Sequence, residues 1–418
     1  MASNPTCDLL ITHGTLVQVR EDVTAPVKGA DMASLPVLPG AYLSITQGRI
    51  SDYGPMDRLP RNLRAQQTLS AKGRFVFPSF VDSHTHLVFD QYREDEFVMK
   101  IKGATYTEIA ARGGGILSSA RQVQKLSEDE LLERTLPRAR EIIRTGTGVV
   151  EIKSGYGLTT RDELKMLRVA RRIGIETPLK VKTTFLGAHA VPPGMQKADY
   201  MNLLIREMIP AVAEEKLADY IDVFCEAGFF TPDETIQLAE AGKQYGLQPR
   251  LHANQLGRSG GVQAGVKTAA LSVDHLEHLG DEEITLLKKS ATMPTALPGA
   301  AFFLRLPQAP GRQIIDAGLP LAIASDFNPG SCPTGNMPLI IALACIQMKI
   351  TPEEAINAAT VNTAFSLQLS HEYGSIARGR VASLFITQPI PSVAYIPYAF
   401  GYNPVDTVIL NGKVIPAG

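Results

Sequence analysis

The sequence predicts an α/β fold: a closed (β/α)8 TIM barrel with a small composite β-sandwich domain built from both termini. Three observations carry this reading. Between about residues 76 and 361, short apolar runs alternate with amphipathic helical patterns, which implies a parallel sheet covered on its outer face. The apolar runs number eight in one uninterrupted block, the count that closes a barrel. No Gly-rich phosphate-binding turn follows any of them, which disfavours an open doubly wound sheet. The expected organisation is 1–75 and 378–418 for the β domain and 76–377 for the barrel.

The elements follow in chain order. Residues 8–19, 42–50 and 69–77 are strand-like pieces split by Gly, Pro and Asp, and 21–38 reads as a mobile loop. The barrel strands are expected at 75–84 (FVFPSFVDSH), 148–153, 180–187, 220–225, 247–252, 271–275, 291–297 and 321–325. Ser127–Glu130, Thr160–Glu163, Thr231–Glu234 and Thr351–Glu354 each fit the capping box that opens a helix,. Pro232 and Pro352 stand at the first helical position, where a missing N–H costs least,. After Thr160, residues Met166, Val169, Ala170 and Ile173 form an apolar stripe, with Gly174 as the expected stop,. Strands at 381–387 and 405–415 end the chain, the second turning at Asn411-Gly412,.

Composition excludes several function classes. Among 418 residues, 41 Lys and Arg offset 42 Asp and Glu, so no field favours nucleic acid or an anionic membrane. No apolar stretch is long enough to span a bilayer,. The four cysteines are scattered without a Cys-x-x-Cys pair, a poor disulfide or zinc-finger pattern. The N-terminal MASNPTCDLL lacks the basic start and apolar run of a signal peptide,. A soluble cytoplasmic protein acting on a small molecule is expected.

Barrels of this kind do their chemistry at the C-terminal ends of the strands. Those ends carry His84 and His86, Lys153, His189, Glu226, His252, His275, Thr295 and Asp326, so five of the eight histidines fall there. A lone His-x-His is ordinarily a surface pair or a satisfied core pair. Here it ends an apolar strand, another histidine ends strand five, and Asp326 follows LAIAS, apolar up to its final serine. An uncompensated carboxylate in such a place is costly. Three neutral imidazoles and one carboxylate suit zinc or iron with a position open to water. Such a cation lowers the pKa of water towards ~7, which points to hydrolytic attack on a carbon bonded to nitrogen or oxygen.

Residues 78–88 (PSFVDSHTHLV), 252–255 (HANQ), 272–275 (SVDH) and 325–330 (SDFNPG) resemble the amidohydrolase superfamily. More narrowly, FDQYREDEF (89–97), GATYTEIAARGGGI (103–116), KSGYGL (153–158) and FLGAHAVP (185–192) resemble the imidazolonepropionase family of histidine breakdown. The resemblance implies one metal ion, Zn2+ or Fe2+/Fe3+, held by His84, His86, His252 and Asp326. Glu226 ends strand four, where two-metal relatives carry a carbamylated lysine. The implied substrate is 4-imidazolone-5-propanoate, opened to N-formimidoyl-L-glutamate. Arg93, Tyr106 and Tyr156 match the family's binders of the propanoate tail, although Arg93 could instead pair with Glu94 or Asp95. His189 is a candidate for the ring or its oxygen, and Asn328 with the backbone near Gly330 for ring recognition. Where some relatives shuttle a proton with an acid, this chain has Gln255, which cannot exchange one. The acid/base work therefore falls to His275, aided by Asp326. Lys153 either structures the GYG turn or meets substrate, His278 is structural, and a homodimer is expected. The alternatives are a deaminase of a nitrogen heterocycle and a non-catalytic scaffold.

Overall fold

The computed structural model describes residues 6–104, 108 and 114–416. Strands β1 (Thr6–Val17), β2 (Val37–Thr46), β3 (Arg49–Pro55), β4 (Arg64–Ser70) and β5 (Phe75–Pro78) come first. The barrel strands follow: β6 (Phe80–Thr85), β7 (Thr147–Lys153), β8 (Lys180–Ala188), β9 (Tyr220–Cys225), β10 (Gln248–Ala253), β11 (Ser272–His275), β12 (Met293–Ala296) and β13 (Ala322–Ile323). The last are β14 (Leu384–Thr387), β15 (Val405–Leu410) and β16 (Lys413–Ile415).

β6 to β13 pair in sequence order in one parallel sheet, with helices such as Thr160–Glu176 and Pro232–Gln244 between them. The sheet closes just beyond the end of β13. Thr85 bridges Phe327 in parallel, the His86 N–H donates to Phe327 O at 2.9 Å, and the Asp326 N–H donates to His84 O at 3.0 Å. Closure itself thus brings the His-x-His pair beside Asp326, 242 positions later in the chain.

The terminal strands form one mixed sheet in the order β16-β15-β14-β5-β1-β2-β3, with β4 also on β1. It has its own core, including Ile11, Leu16, Leu43, Ile45, Val76, Leu384 and Ile409. The apolar run FVFPSFVDSH, expected as one barrel strand, serves both sheets. β5 pairs with β1 and β14, and at Ser79 the chain crosses over. The Ser79 N–H donates to Ser383 O at 2.8 Å, and the Phe80 N–H donates to Gly146 O at 2.9 Å. Asn411 and Gly412 both have positive φ, as the tight turn between β15 and β16 requires.

Three of the four expected capping boxes form, at Ser127, Thr231 and Thr351. At the fourth, Thr159 caps the helix through the Asp162 N–H. Glu163 instead turns inward and accepts the N–H groups of Gly155, Gly157 and Leu158 at 2.7–3.0 Å. Those buried amides would otherwise lack partners, a larger cost than an unboxed cap. That helix also runs past Gly174 to Glu176, because Gly174 packs against Val181 of β8 rather than ending the helix. Segment 21–38, expected as a mobile loop, is docked. Asn362 brackets Val27 by accepting its N–H at 2.9 Å and donating to its carbonyl at 2.8 Å. Asn357 donates to Met32 O, and the Met32 side chain is buried. Among the described residues, no helix is long and apolar enough to cross a membrane.

Candidate active site

His84 is the last residue but one of β6, and His86 directly follows its final residue, Thr85, in backbone still extended enough to bond Phe327. β10 contributes His252, and their ring nitrogens converge, with one ligand atom of each within 4.8 Å of the others. His84 Nε2 lies 3.2 Å from His252 Nε2. Asp326 Oδ1 lies 3.6 Å from His84 Nε2 and 3.5 Å from His86 Nε2.

The hydrogen-bond partners determine which nitrogens carry protons. His84 Nδ1 is 2.7 Å from Asp274 Oδ2, and His252 Nδ1 is 2.9 Å from Asp222 Oδ2. Each carboxylate accepts from Nδ1–H, which leaves a lone pair on both facing Nε2 atoms. Burial, and then the Lys153 cation and neighbouring rings, hold His84 well below the usual histidine pKa. Burial, His189 and His252 do the same to His86. Facing lone pairs repel, and Asp326 Oδ1 is buried without a hydrogen-bond partner. A divalent cation fits this donor set and relieves both costs.

The cluster opens into a cavity of about 450 Å³. His86, His252, His275 and Asp326 form its inner end, and Arg93, Lys100, Asn328 and Gly330 form one wall. Tyr156, His189 and Gln255 also line it, while Phe224, Phe229, Leu304 and Leu306 supply apolar surface. His84 lies fully buried beneath. Tyr106 lies outside the described residues. Every other residue expected at the site borders this cavity or lies directly under it.

Profile comparison finds the amidohydrolase family over residues 75–415. The imidazolonepropionase of Flavobacterium johnsoniae is 51% identical over 402 residues, covering 96% of this chain and 98% of that protein. That of Christiangramia forsetii is 51% identical over 410 residues, covering 97% and 100%. The chain belongs to the imidazolonepropionases of the amidohydrolase family. A zinc-bound adenosine deaminase from Xanthomonas campestris superposes with a TM-score of 0.73 at 17% identity, covering 99% of this chain and 93% of that one. Guanine deaminase from E. coli gives 0.73 at 14%, covering 97% and 99%. These two share the fold.

In this imidazolonepropionase-family chain, Arg93 pairs with neither Glu94 nor Asp95. Its Nη1 is 3.9 Å from Glu96 Oε2, its Nε is buried without a partner, and its guanidinium covers Gly330. Any Cβ at Gly330 would overlap that guanidinium. Gly330→Ala is therefore expected to displace Arg93 and raise KM roughly 10- to 100-fold, the worth of about one charged hydrogen bond. Steady-state kinetics checks this, and an unchanged KM would refute it. Asn328 shapes the same loop by accepting the Gly330 and Ser331 N–H groups at 2.8 Å each. His189 Nδ1 faces Gly155 O at 3.0 Å, and its ring stacks on His86 with centroids 5.2 Å apart. Burial, followed by His252, lowers its pKa to about 3.

Two further strand-end residues, Lys153 and Glu226, lie outside the cavity lining. Lys153 neither structures the GYG turn nor meets substrate. It is fully buried, with Nζ 2.9 Å from Glu151 Oε1 and 3.0 Å from Asp222 Oδ2. Glu226 accepts the Gln255 and Leu256 N–H groups at 2.5 and 3.3 Å, so it holds the loop after β10. Sequence reasoning misses the acids behind the rings, Asp222, Asp274 and Glu277, together with Lys100 and Glu96 on the cavity wall. Asp222 and Asp274 do leave a signal: each is a charge inside a short apolar strand, YIDVFC and LSVDH, where an acid survives only with a partner.

Proposed function

We propose that this chain hydrolyses the cyclic amide of 4-imidazolone-5-propanoate to N-formimidoyl-L-glutamate, with one zinc or iron ion at His84, His86, His252 and Asp326. The observation that carries the reading is the meeting, in one cavity, of the three-imidazole cluster and the Arg93 guanidinium. A hydrolytic centre and an anion-binding fork facing each other suit a small cyclic amide with a carboxylate tail.

A divalent ion in this site would polarise the ring carbonyl and lower the pKa of water. The protein side chains do the rest. Arg93 takes the tail carboxylate, with the Tyr156 and Tyr106 hydroxyls assigned to the tail from their motifs. Asn328, the Gly330 backbone and His189 orient the ring so that its carbonyl carbon faces the cluster. Water oxygen bonds to that carbon, and His275 accepts the water proton. The carbon–nitrogen bond breaks as His275 returns the proton to the leaving ring nitrogen. Burial opposes the charged form of His275, but Glu277, then Asp326 and Asp274, raise its pKa above the usual value. Gln255 holds water or a ring atom by hydrogen bonds without exchanging protons. Both Gln255 and the cationic Arg93 disfavour deamination of an uncharged base.

The test combines metal analysis of purified protein with loss of the imidazolone propanoate absorbance. About one metal ion per chain with turnover is expected. A metal-loaded protein that leaves this compound intact would overturn the substrate assignment, and ammonia release from a nitrogen heterocycle would replace it with a deaminase.

A further inference from the structure

Three histidines of the site share one arrangement: a buried carboxylate on Nδ1. Asp274 serves His84 and Asp222 serves His252, and both leave Nε2 inside the imidazole cluster. The third carboxylate is Glu277, whose Oε1 lies 3.3 Å from His275 Nδ1. Both side chains are almost fully buried, at 1% and 2% exposure. His275 stands outside the cluster of three yet lines the cavity, so its remaining nitrogen has a different task.

The backbone is arranged to hold this pair. His275 and Leu276 have φ of 88° and 69°, values that side-chain-bearing residues rarely adopt. The chain therefore turns sharply as β11 ends. Main-chain bonds clamp both flanks of Glu277: the Leu276 N–H donates to Ala253 O at 3.1 Å, and the His278 N–H donates to Asn254 O at 2.9 Å. Asn254 Nδ2 returns a bond to His278 O. Two uncommon φ values in a row, anchored on either side of one acid, are a strained geometry of the kind retained at working sites.

The other acids near the cavity are engaged. Glu226 is taken up by two backbone amides, Asp326 turns Oδ1 to the imidazole cluster and accepts from Ser331 through Oδ2, and position 255 carries an amide. Glu277 keeps Oε2 buried without a partner and so has no competing donor of comparable strength.

We propose that Glu277 is the positioning residue of the reaction: it holds His275 as the Nδ1–H tautomer, so that the Nε2 lone pair faces the cavity and can accept the water proton. A carboxylate behind the base explains how the chain dispenses with an acid at position 255. The triad arrangement of base and orienting acid follows the same logic. The proposal rests on the hydrolytic function proposed for this site.

Glu277→Gln tests it, because the amide has nearly the same shape but can present its NH2 to Nδ1 and favour the wrong tautomer. The expected result is a kcat lower by roughly 10- to 100-fold, with KM and metal content unchanged. Glu277→Asp, which keeps the charge, should recover part of the loss. Nitrogen-15 spectra of histidine-labelled protein, assigned with a His275→Asn reference, should show Nδ1–H in the wild type and a mixture in Glu277→Gln. Wild-type kcat with an unchanged tautomer in Glu277→Gln would overturn the proposal. So would a kcat loss that merely tracks lost metal or lost thermal stability, since Glu277 would then be structural. A wild-type protein inert towards imidazolone propanoate would refute the hydrolytic function instead, while the tautomer measurement still decides what Glu277 does.

Discussion

Asp326→Asn is expected to lower turnover by about 10^3-fold or more and to leave the protein with far less than one metal ion per chain. Asp326 Oδ1 is the anionic oxygen facing the Nε2 atoms of His84 and His86. Burial raises its pKa, with His275 and His252 pulling against that rise. Asparagine keeps the shape but turns a donor towards the imidazole lone pairs, so the cluster satisfies itself without a cation. The opposite sign is expected for the chelated protein. There Asp326→Asn should unfold no earlier than chelated wild type, because a buried anionic oxygen without a partner, Oδ1, has been removed,. Metal analysis, turnover and denaturation after chelation read these three quantities. Stoichiometric metal with wild-type turnover would show that Asp326 is not needed at the cluster.

Lys153→Met should cost about 3–5 kcal/mol of stability, the usual effect of removing one partner from a buried ion pair. Lys153 is the ammonium shared by Glu151 and Asp222, and all three are buried. Arg250 is the next fixed cation, 3.5 Å from Asp274 and bonded to Ser83 O at 3.0 Å. Without Lys153, Glu151 keeps neutral hydrogen-bond partners such as the Thr184 hydroxyl and the weaker pull of the Arg250 cation, and Asp222 loses the cation that balances its bond to His252. Adding Glu151→Gln should restore part of the loss, since the second change removes the uncompensated charge. Denaturant unfolding of the single and double variants measures both. A Lys153→Met protein as stable as wild type would mean that this network carries little energy.

Much of the fold and part of the site are legible in the residues alone. The eight strands can be read because apolar runs bounded by polar ends reflect burial residue by residue, and β6 to β13 fall on the eight expected runs. His84, His86, His252, His275 and Asp326 stand out because polar groups that end apolar strands must be satisfied by something. Glu163 misleads, since Thr160 and Glu163 satisfy the capping spacing while the carboxylate is claimed by three amides of a neighbouring loop. FVFPSFVDSH misleads in the same way, because one apolar run can face two different cores.

By itself the sequence determined the number of barrel strands, the donor atoms at their ends and the lack of an acid at position 255. These are properties of residue type and of period along the chain. Only the tertiary structure decided which nitrogen of His84 and of His252 is free, that Lys153 is a buried counter-charge, and that Glu277 stands behind His275. Each of these depends on a partner atom within about 3 Å, most of them brought in from another strand, and a proton's position follows the partner rather than the residue that carries it.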